Sequence, residues 1–228
     1  MRIFYVTFLI FLLGAATAKG GLKLKSSLEL GNNKTIPFSI GWIAEPYWEI
    51  DKRVDLYGGI RIANEQRFSY YIANTIKFPL NKLELQIQEK FLYNSFGVWN
   101  MQEYSVFGGL QLYAPHFDVL LGVSSRLIKP LQPITYESIV EPFNWQYDVG
   151  LRLFKTSNPW NLRLGASNFD TFYFERMESL ILSLKGEYNL SKKFSIYCNG
   201  ILKPAGNFHL SANYYGYYIQ TGMIWNIW

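Results

Sequence analysis

Hydrophobic and polar residues alternate along most of the chain. Residues 83–88, for example, read LELQIQ, and the same period of two recurs from residue 22 to the C-terminus. This period is typical of β-strands that have one apolar and one polar face, whereas no segment sustains a helical period. The pattern predicts an all-β fold of about twelve strands, with ten as the alternative, over 21–30, 36–49, 53–63, 67–78, 83–94, 103–113, 117–127, 144–155, 160–168, 177–189, 193–203 and 214–227.

The N-terminal segment has a different organisation. Arg2 is followed by an apolar run, Ile3–Leu13, and then by the small residues Gly-Ala-Ala-Thr-Ala at 14–18. This order is that of a secretory signal peptide, and the apolar run is too short to span a bilayer. We therefore expect a signal peptide at 1–18, cleaved after Ala18, and an exported single-domain chain at 19–228.

An exported chain with these strands forms either a secreted soluble β-protein or a transmembrane barrel. Many charged side chains fall in the polar phase of the strands, which is unfavourable in a packed core but acceptable in a hydrated lumen. Aromatic residues make up 18% of the chain and often stand near strand ends. Tyr and Trp at strand ends are typical of the two membrane interfaces. The pattern therefore favours a single antiparallel up-and-down transmembrane β-barrel.

The predicted connections alternate between short turns and mostly longer segments. The long ones are expected at about 95–102, 128–143, 169–176 and 204–213. Short periplasmic turns and long outer loops are typical of bacterial outer-membrane barrels, so the chain is expected in the bacterial outer membrane.

The last predicted strand adds a resemblance. Residues 214–228 read YYGYYIQTGMIWNIW, in which Gly222, Trp225 and Ile227 are spaced along one strand before the terminal Trp228. This resembles the C-terminal signal of bacterial outer-membrane β-barrel proteins. It departs from the usual signal because the terminal residue is Trp rather than Phe and the motif is set one residue in from the end. The resemblance implies insertion by the barrel-assembly machinery and contact with outer-membrane lipid, and it indicates no particular family.

The sequence contains few other features that indicate a function. The formal charge of +5 is spread along the chain and mixed with acidic residues, so a nucleic-acid partner is not expected. Motifs such as HExxH, CxxC, GxSxG or a phosphate-binding glycine loop are missing from the sequence. We expect no enzymatic activity, catalytic residue, cofactor or metal, although His209 and Ser211 leave a lipid-modifying enzyme as a third alternative.

Charged residues in the polar phase are the candidates for function. The predicted pore-lining residues are Lys25, Glu29, Glu45, Arg61, Lys77, Glu84, Lys90, Arg126, Asp148, Arg152, Arg163, Lys185 and Glu187. Their two signs are nearly balanced, which suits either a lumen closed by ion pairs or a narrow hydrated channel. A barrel of twelve strands is intermediate in diameter between an eight-stranded barrel, which side chains fill, and a porin of sixteen or more strands, which has an open pore.

The leading prediction is a porin-like channel for passive diffusion of small hydrophilic solutes. The alternative is a closed structural or interaction barrel that presents its outer loops for binding or adhesion. The 128–143 segment contains three prolines and is predicted to fold either inward as a constriction or outward as a contact surface.

Overall fold

The computed structural model describes residues 21–32, 38–64, 67–97, 100–131, 138–153, 159–174, 179–204 and 216–227. Within these ranges the chain is a closed antiparallel barrel of twelve strands. The strands are β1 (Leu22–Gly31), β2 (Ser39–Glu49), β3 (Val54–Ala63), β4 (Arg67–Leu80), β5 (Leu83–Phe96), β6 (Met101–Tyr113), β7 (Phe117–Pro130), β8 (Ile139–Arg152), β9 (Trp160–Ser167), β12 (Ile181–Asn189), β13 (Phe194–Lys203) and β14 (Gly216–Asn226). The predicted fold class is confirmed.

Strands that are neighbours in the chain are neighbours in the wall, with one exception. β9 pairs with β12 because the two short strands between them, β10 (Phe169–Asp170) and β11 (Tyr173–Phe174), form a separate hairpin. β14 returns to pair with β1 and closes the sheet. Among the described residues, none forms a helix long and apolar enough to cross a membrane.

Strand alternation separates the two faces of the wall. Leu120 is 3% exposed, whereas the next residue, Leu121, is 58% exposed. Around the barrel the exposed phase is largely apolar and includes Leu110, Leu151, Leu184, Ile219 and Met223. An apolar surface that encircles the molecule would be unfavourable in water. It suits a barrel whose outer face contacts lipid and whose backbone hydrogen bonds are all satisfied within the wall.

Aromatic side chains cluster on the outer face at both ends of the strands. At one end, ring contacts of 5.1–6.1 Å connect Phe68, Tyr70 and Tyr93, and a further contact of 5.2 Å reaches Tyr104. At the other end, Trp160 packs against Tyr188 and Phe194 stacks on Trp225. Two such clusters are the arrangement expected at the two headgroup levels of a bilayer.

The two ends of the barrel differ in their connections. One end carries the connections 50–53, 81–82, 114–116, 153–159 and 190–193, and we call it the turn end. The opposite end is called the loop end. β1 begins and β14 ends at the turn end. The tightest connection is the two-residue turn at 81–82, where Asn81 has a φ of 54°. Asn tolerates this left-handed conformation better than most residues.

Two predicted long loops are shorter than expected. β7 continues to Pro130 and β8 already begins at Ile139, so half of the predicted 128–143 connection is strand. The prediction placed all three prolines of this segment in the connection, but Pro142 belongs to β8. It lies at an irregularity in the β7–β8 register, where a residue without an N–H is tolerated. The predicted 95–102 loop shrinks to 97–100, while the leader and nearly all of 204–213 lie outside the described residues.

Candidate channel lumen

The chain leaves the barrel wall after β9 and enters the lumen. Asn168, which is fully buried, marks the departure. Its Oδ1 accepts a hydrogen bond from the backbone N–H of Tyr147 at 2.8 Å, and its Nδ2 donates to the carbonyl of Trp145 at 2.7 Å. These bonds satisfy β8 backbone groups where β9 ends, so they fix the point at which the chain turns inward.

The inward segment is the hairpin of residues 169–174, called the lumen hairpin below. Phe169 pairs with Phe174 and Asp170 with Tyr173. The Oδ1 of Asp170 accepts a hydrogen bond from the N–H of Phe172 at 2.8 Å. Such an Asp-centred turn is a common way to reverse the chain, and it explains why so short a hairpin closes.

Wall side chains satisfy the hairpin backbone. The donors are inward-facing residues of β5 and β7, and the acceptors are three backbone carbonyls of the hairpin. Lys90 Nζ donates to the carbonyl of Thr171, Asn94 Nδ2 to that of Phe172 at 3.1 Å, and an Arg126 guanidinium nitrogen to that of Phe174 at 3.2 Å. Because an unpaired buried carbonyl is costly, these contacts hold the hairpin against one side of the wall.

The hairpin also builds an apolar core inside the barrel. Phe172, Tyr173 and Phe174 are each no more than 3% exposed. Their ring contacts to the wall are Phe172 with Tyr71 at 5.3 Å, Phe174 with Phe107 at 5.4 Å and Tyr173 with Phe96 at 5.9 Å. The guanidinium of Arg67 lies over both the Tyr173 and Phe96 rings. This core narrows the loop-end half of the lumen.

One ion pair ties the hairpin to the far wall. Asp170 Oδ2 lies 3.0 Å from the Nζ of Lys203, near the end of β13. Burial opposes ionisation of the Asp170 carboxyl, but attraction to Lys203 and Arg67 and the hydrogen bonds it accepts outweigh that effect. The pKa of Asp170, which belongs to no barrel strand, therefore lies below its ordinary value.

A cavity of about 470 Å³ extends from the hairpin toward the turn end, and both charged and apolar side chains line it. Its roof includes Phe169 and Thr171 of the hairpin, and Tyr47 and Gln88 line its sides. Six of the thirteen predicted pore-lining residues line it: Lys25, Glu45, Lys90, Asp148, Arg163 and Lys185.

Two groups of ion pairs organise the cavity wall. Lys25 Nζ lies 2.5 Å from a Glu45 carboxylate oxygen, and the other oxygen of Glu45 accepts a hydrogen bond from the Tyr71 hydroxyl at 2.8 Å. On the opposite side, the guanidinium of Arg163 contacts Asp118 at 2.8 Å and Asp148 at 2.9 Å.

The other predicted pore-lining residues also belong to the inward phase, mostly in ion pairs. The contacts are Glu29 with Arg61 at 2.5 Å, Lys77 with Asp55 at 2.6 Å, Arg126 with Glu141 at 2.6 Å and Arg152 with Asp118 at 3.3 Å. Glu84 accepts a hydrogen bond from Gln86 at 2.6 Å, and Glu187 lies opposite Tyr197 in the β12–β13 pairing. None of these seven lines the cavity.

Sequence reasoning missed the lumen hairpin. It assigned 169–176 to an outer connection and considered 128–143 as the inward constriction. The available signal was composition, since four of the six residues of FDTFYF are aromatic, which is unfavourable in an exposed loop.

The described residues were also compared with the arrangements expected of a metal site or a catalytic histidine. No group of three or more His, Cys, Asp or Glu side chains among them has an arrangement that could hold a metal ion. His116 lies in the 114–116 turn, and the predicted His209–Ser211 pair lies outside the described residues.

Solved structures with the same architecture are bacterial outer-membrane barrels. The KdgM porin matches with a TM-score of 0.54 and 9% identity, over 89% of this chain and 98% of that chain. The translocator domain of the autotransporter NalP from Neisseria meningitidis matches with a TM-score of 0.55 and 9% identity, over 98% and 95%. Outer membrane phospholipase A from Escherichia coli matches with a TM-score of 0.50 and 9% identity, over 90% and 92%.

At these identities the likeness concerns the fold. The chain has the fold of bacterial outer-membrane β-barrel proteins, and the resemblance of its C-terminal strand is consistent with that class. These neighbours support a location in the bacterial outer membrane, while their names describe a porin, a translocator and a phospholipase. No family model matches the sequence, and no curated protein matches it either.

Proposed function

We propose that the protein is a porin-like channel for passive diffusion of small hydrophilic solutes across the bacterial outer membrane. The observation that supports it most directly is a cavity of about 470 Å³, lined in part by charged side chains, inside a closed twelve-stranded barrel. Barrels of eight strands are filled by their own side chains, whereas a larger barrel has room for water and solute. Charged side chains along the wall favour a hydrated path.

In this proposal the lumen hairpin is the constriction. It packs against the β4–β7 side of the wall through Tyr71, Phe96 and Phe107, and it narrows the loop-end half of the lumen. Solutes pass beside the hairpin and then enter the cavity, so the bore is much smaller than that of a sixteen-stranded porin.

The proposal includes an orientation and an assembly route. The turn end faces the periplasm and the loop end faces outward, as in other outer-membrane barrels. The apolar outer face contacts outer-membrane lipid, and the barrel-assembly machinery inserts the exported chain after removal of residues 1–18.

The second candidate is a closed barrel with a structural or interaction role. The aromatic core around the hairpin favours it, because Phe172, Tyr173 and Phe174 exclude water from much of the loop-end half. In that case the loops of the loop end would be the functional surface.

Planar-bilayer recording of refolded protein separates the two. If the protein is a channel, small and reproducible conductance steps are expected. A shift in gel mobility when the same preparation is heated shows that the protein was folded. A folded barrel that stays silent at every voltage would overturn the channel and leave the closed barrel.

The proposed channel has no catalytic step. A phospholipase assay on the same preparation tests this part, with the His209→Ala variant as the comparison. A lipid-hydrolysing activity that this substitution abolishes would contradict it.

A further inference from the structure

The charges that line the cavity are not balanced. Five cationic side chains line it against three carboxylates. The cations are Lys23, Lys25, Lys90, Arg163 and Lys185, and the carboxylates are Glu45, Asp148 and Asp170. The predicted inward carboxylates Glu84 and Glu187 are not part of the cavity lining.

Each of the three carboxylates already has a cationic partner. Glu45 pairs with Lys25, Asp148 with Arg163, and Asp170 with Lys203, which lies outside the cavity. Among the described residues, no carboxylate is within ion-pair distance of the ammonium groups of Lys23, Lys90 or Lys185.

The three remaining lysines differ in their surroundings. Lys90 donates to the carbonyl of Thr171 and so is partly engaged by the hairpin. Lys23 lies 5.5 Å from the ring centroid of Tyr47 near the turn end. Lys185 has an exposed side chain that lines the cavity.

Neighbouring cations repel the ammonium group of Lys185. Lys185 lies directly opposite Arg163 in the β9–β12 pairing, so two cations are cross-strand neighbours on the inner face. Like charges placed in this way destabilise a sheet. Lys25 and Lys90 also repel Lys185, whereas Asp148 and Glu45 attract it without forming an ion pair with it. A bound anion would offset this repulsion.

The cavity also offers neutral groups that can donate hydrogen bonds. Asn199, which is the other cross-strand neighbour of Lys185, lines it together with Ser183. The Nδ2 of Asn199 donates one hydrogen bond to Gln220 and has a second N–H to donate. A cationic cluster flanked by amide and hydroxyl donors, inside a barrel surrounded by lipid, concentrates anions because its low-dielectric walls focus the field.

We propose that the cavity is a binding site for small anionic solutes, carboxylated or phosphorylated, and that Lys185 and Lys23 make the channel anion-selective. This inference rests on the proposed channel function and gives it a substrate class. The shared chemistry is a compact anion that accepts hydrogen bonds from ammonium, guanidinium and amide groups.

The test is the reversal potential of refolded wild type in a planar bilayer under a KCl gradient at neutral pH. We expect chloride to be more permeable than potassium, and the ratio to fall severalfold in the Lys23→Gln/Lys185→Gln double variant. Lys185→Arg, which keeps the charge, should retain the selectivity. Lys192→Gln, which removes a lysine from an exposed turn, is the matched control and should leave it unchanged.

Binding is measured separately by calorimetric titration of wild type and the double variant with inorganic phosphate and with succinate. Tighter binding of phosphate than of succinate assigns phosphorylated solutes, and the reverse assigns carboxylated ones. Either result supports the inference if the double variant loses the binding.

The outcomes distinguish this inference from the proposed function. A conducting barrel that is cation-selective or unselective overturns the anion site and leaves the channel. A silent barrel that binds phosphate or succinate through the two lysines overturns the channel and leaves the site. A silent barrel that binds neither overturns both.

Discussion

The two halves of the lumen use inward-facing residues of the same strands in opposite ways. In the loop-end half, Phe172, Tyr173 and Phe174 of the hairpin are buried against aromatic wall residues, and wall side chains satisfy the hairpin carbonyls. In the turn-end half, Lys185 lines an open cavity and has no carboxylate partner among the described residues. A half that resembles a protein core should be sensitive to mutation, whereas a half that resembles a solvated site should tolerate it.

The largest expected difference between the two halves is the loss of stability when an aromatic side chain is replaced by alanine. Phe172→Ala should lower the free energy of unfolding by roughly 3–5 kcal/mol, because the side chain is buried against Tyr71, does not line the cavity, and its loss leaves an enclosed void. Tyr47→Ala at the cavity should cost only about 1 kcal/mol, since the space it leaves joins a cavity that is already open. Urea unfolding of both variants in lipid vesicles measures the difference, and equal losses would contradict the contrast between the halves.

The next largest difference is expected in the change of stability when a lysine of each half is replaced by methionine. Lys203→Met should destabilise the barrel by about 2 kcal/mol because it leaves the half-buried carboxylate of Asp170 without its closest cation. Lys185→Met should be neutral or stabilise by up to about 1 kcal/mol, because it removes the like-charge neighbour of Arg163. The same unfolding assay applies, and a Lys185→Met variant as unstable as Lys203→Met would show that Lys185 has a structural partner.

A smaller effect is expected on acidification. The pKa of Asp170 is lower in the docked hairpin than in a free loop, so its ionised form stabilises docking at neutral pH. That stabilisation is retained above the ordinary pKa of an aspartate and is lost as the pH falls through the lower, docked value. Single-channel conductance of the wild type should therefore rise at strongly acid pH.

Asp170→Asn is the control for this titration, because an amide does not ionise. Its conductance should lack the acid-induced rise. If the variant shows the same rise as the wild type, another carboxylate is responsible.

The barrel wall could be predicted from the sequence because it depends on local alternation. The strand predicted at 160–168 is observed as β9 over Trp160–Ser167, and that at 193–203 is observed as β13 over Phe194–Lys203. The Lys25–Glu45 pair also follows from such reasoning, since the two residues are directly opposite in the β1–β2 hairpin.

The lumen hairpin could not be predicted in the same way. Its contacts depend on which distant wall residues it meets, as when Asn94 donates to the carbonyl of Phe172, 78 residues further along the chain. Asp118 of β7 likewise contacts Arg163 of β9 over the intervening strand β8, although β7 and β9 do not pair. Periodicity assigns such residues to the inner face but does not say which of them meet.

The division of the lumen is tested most directly by removing the hairpin. Residues 169–174 are replaced with a Gly-Ser linker of the same length, and single-channel conductance is compared with that of wild type in the same bilayer. The account predicts a folded barrel with a severalfold larger conductance and the same anion selectivity, because the lysines of the turn-end half remain. An unchanged conductance in the folded variant would contradict it, since the hairpin would then not limit the bore.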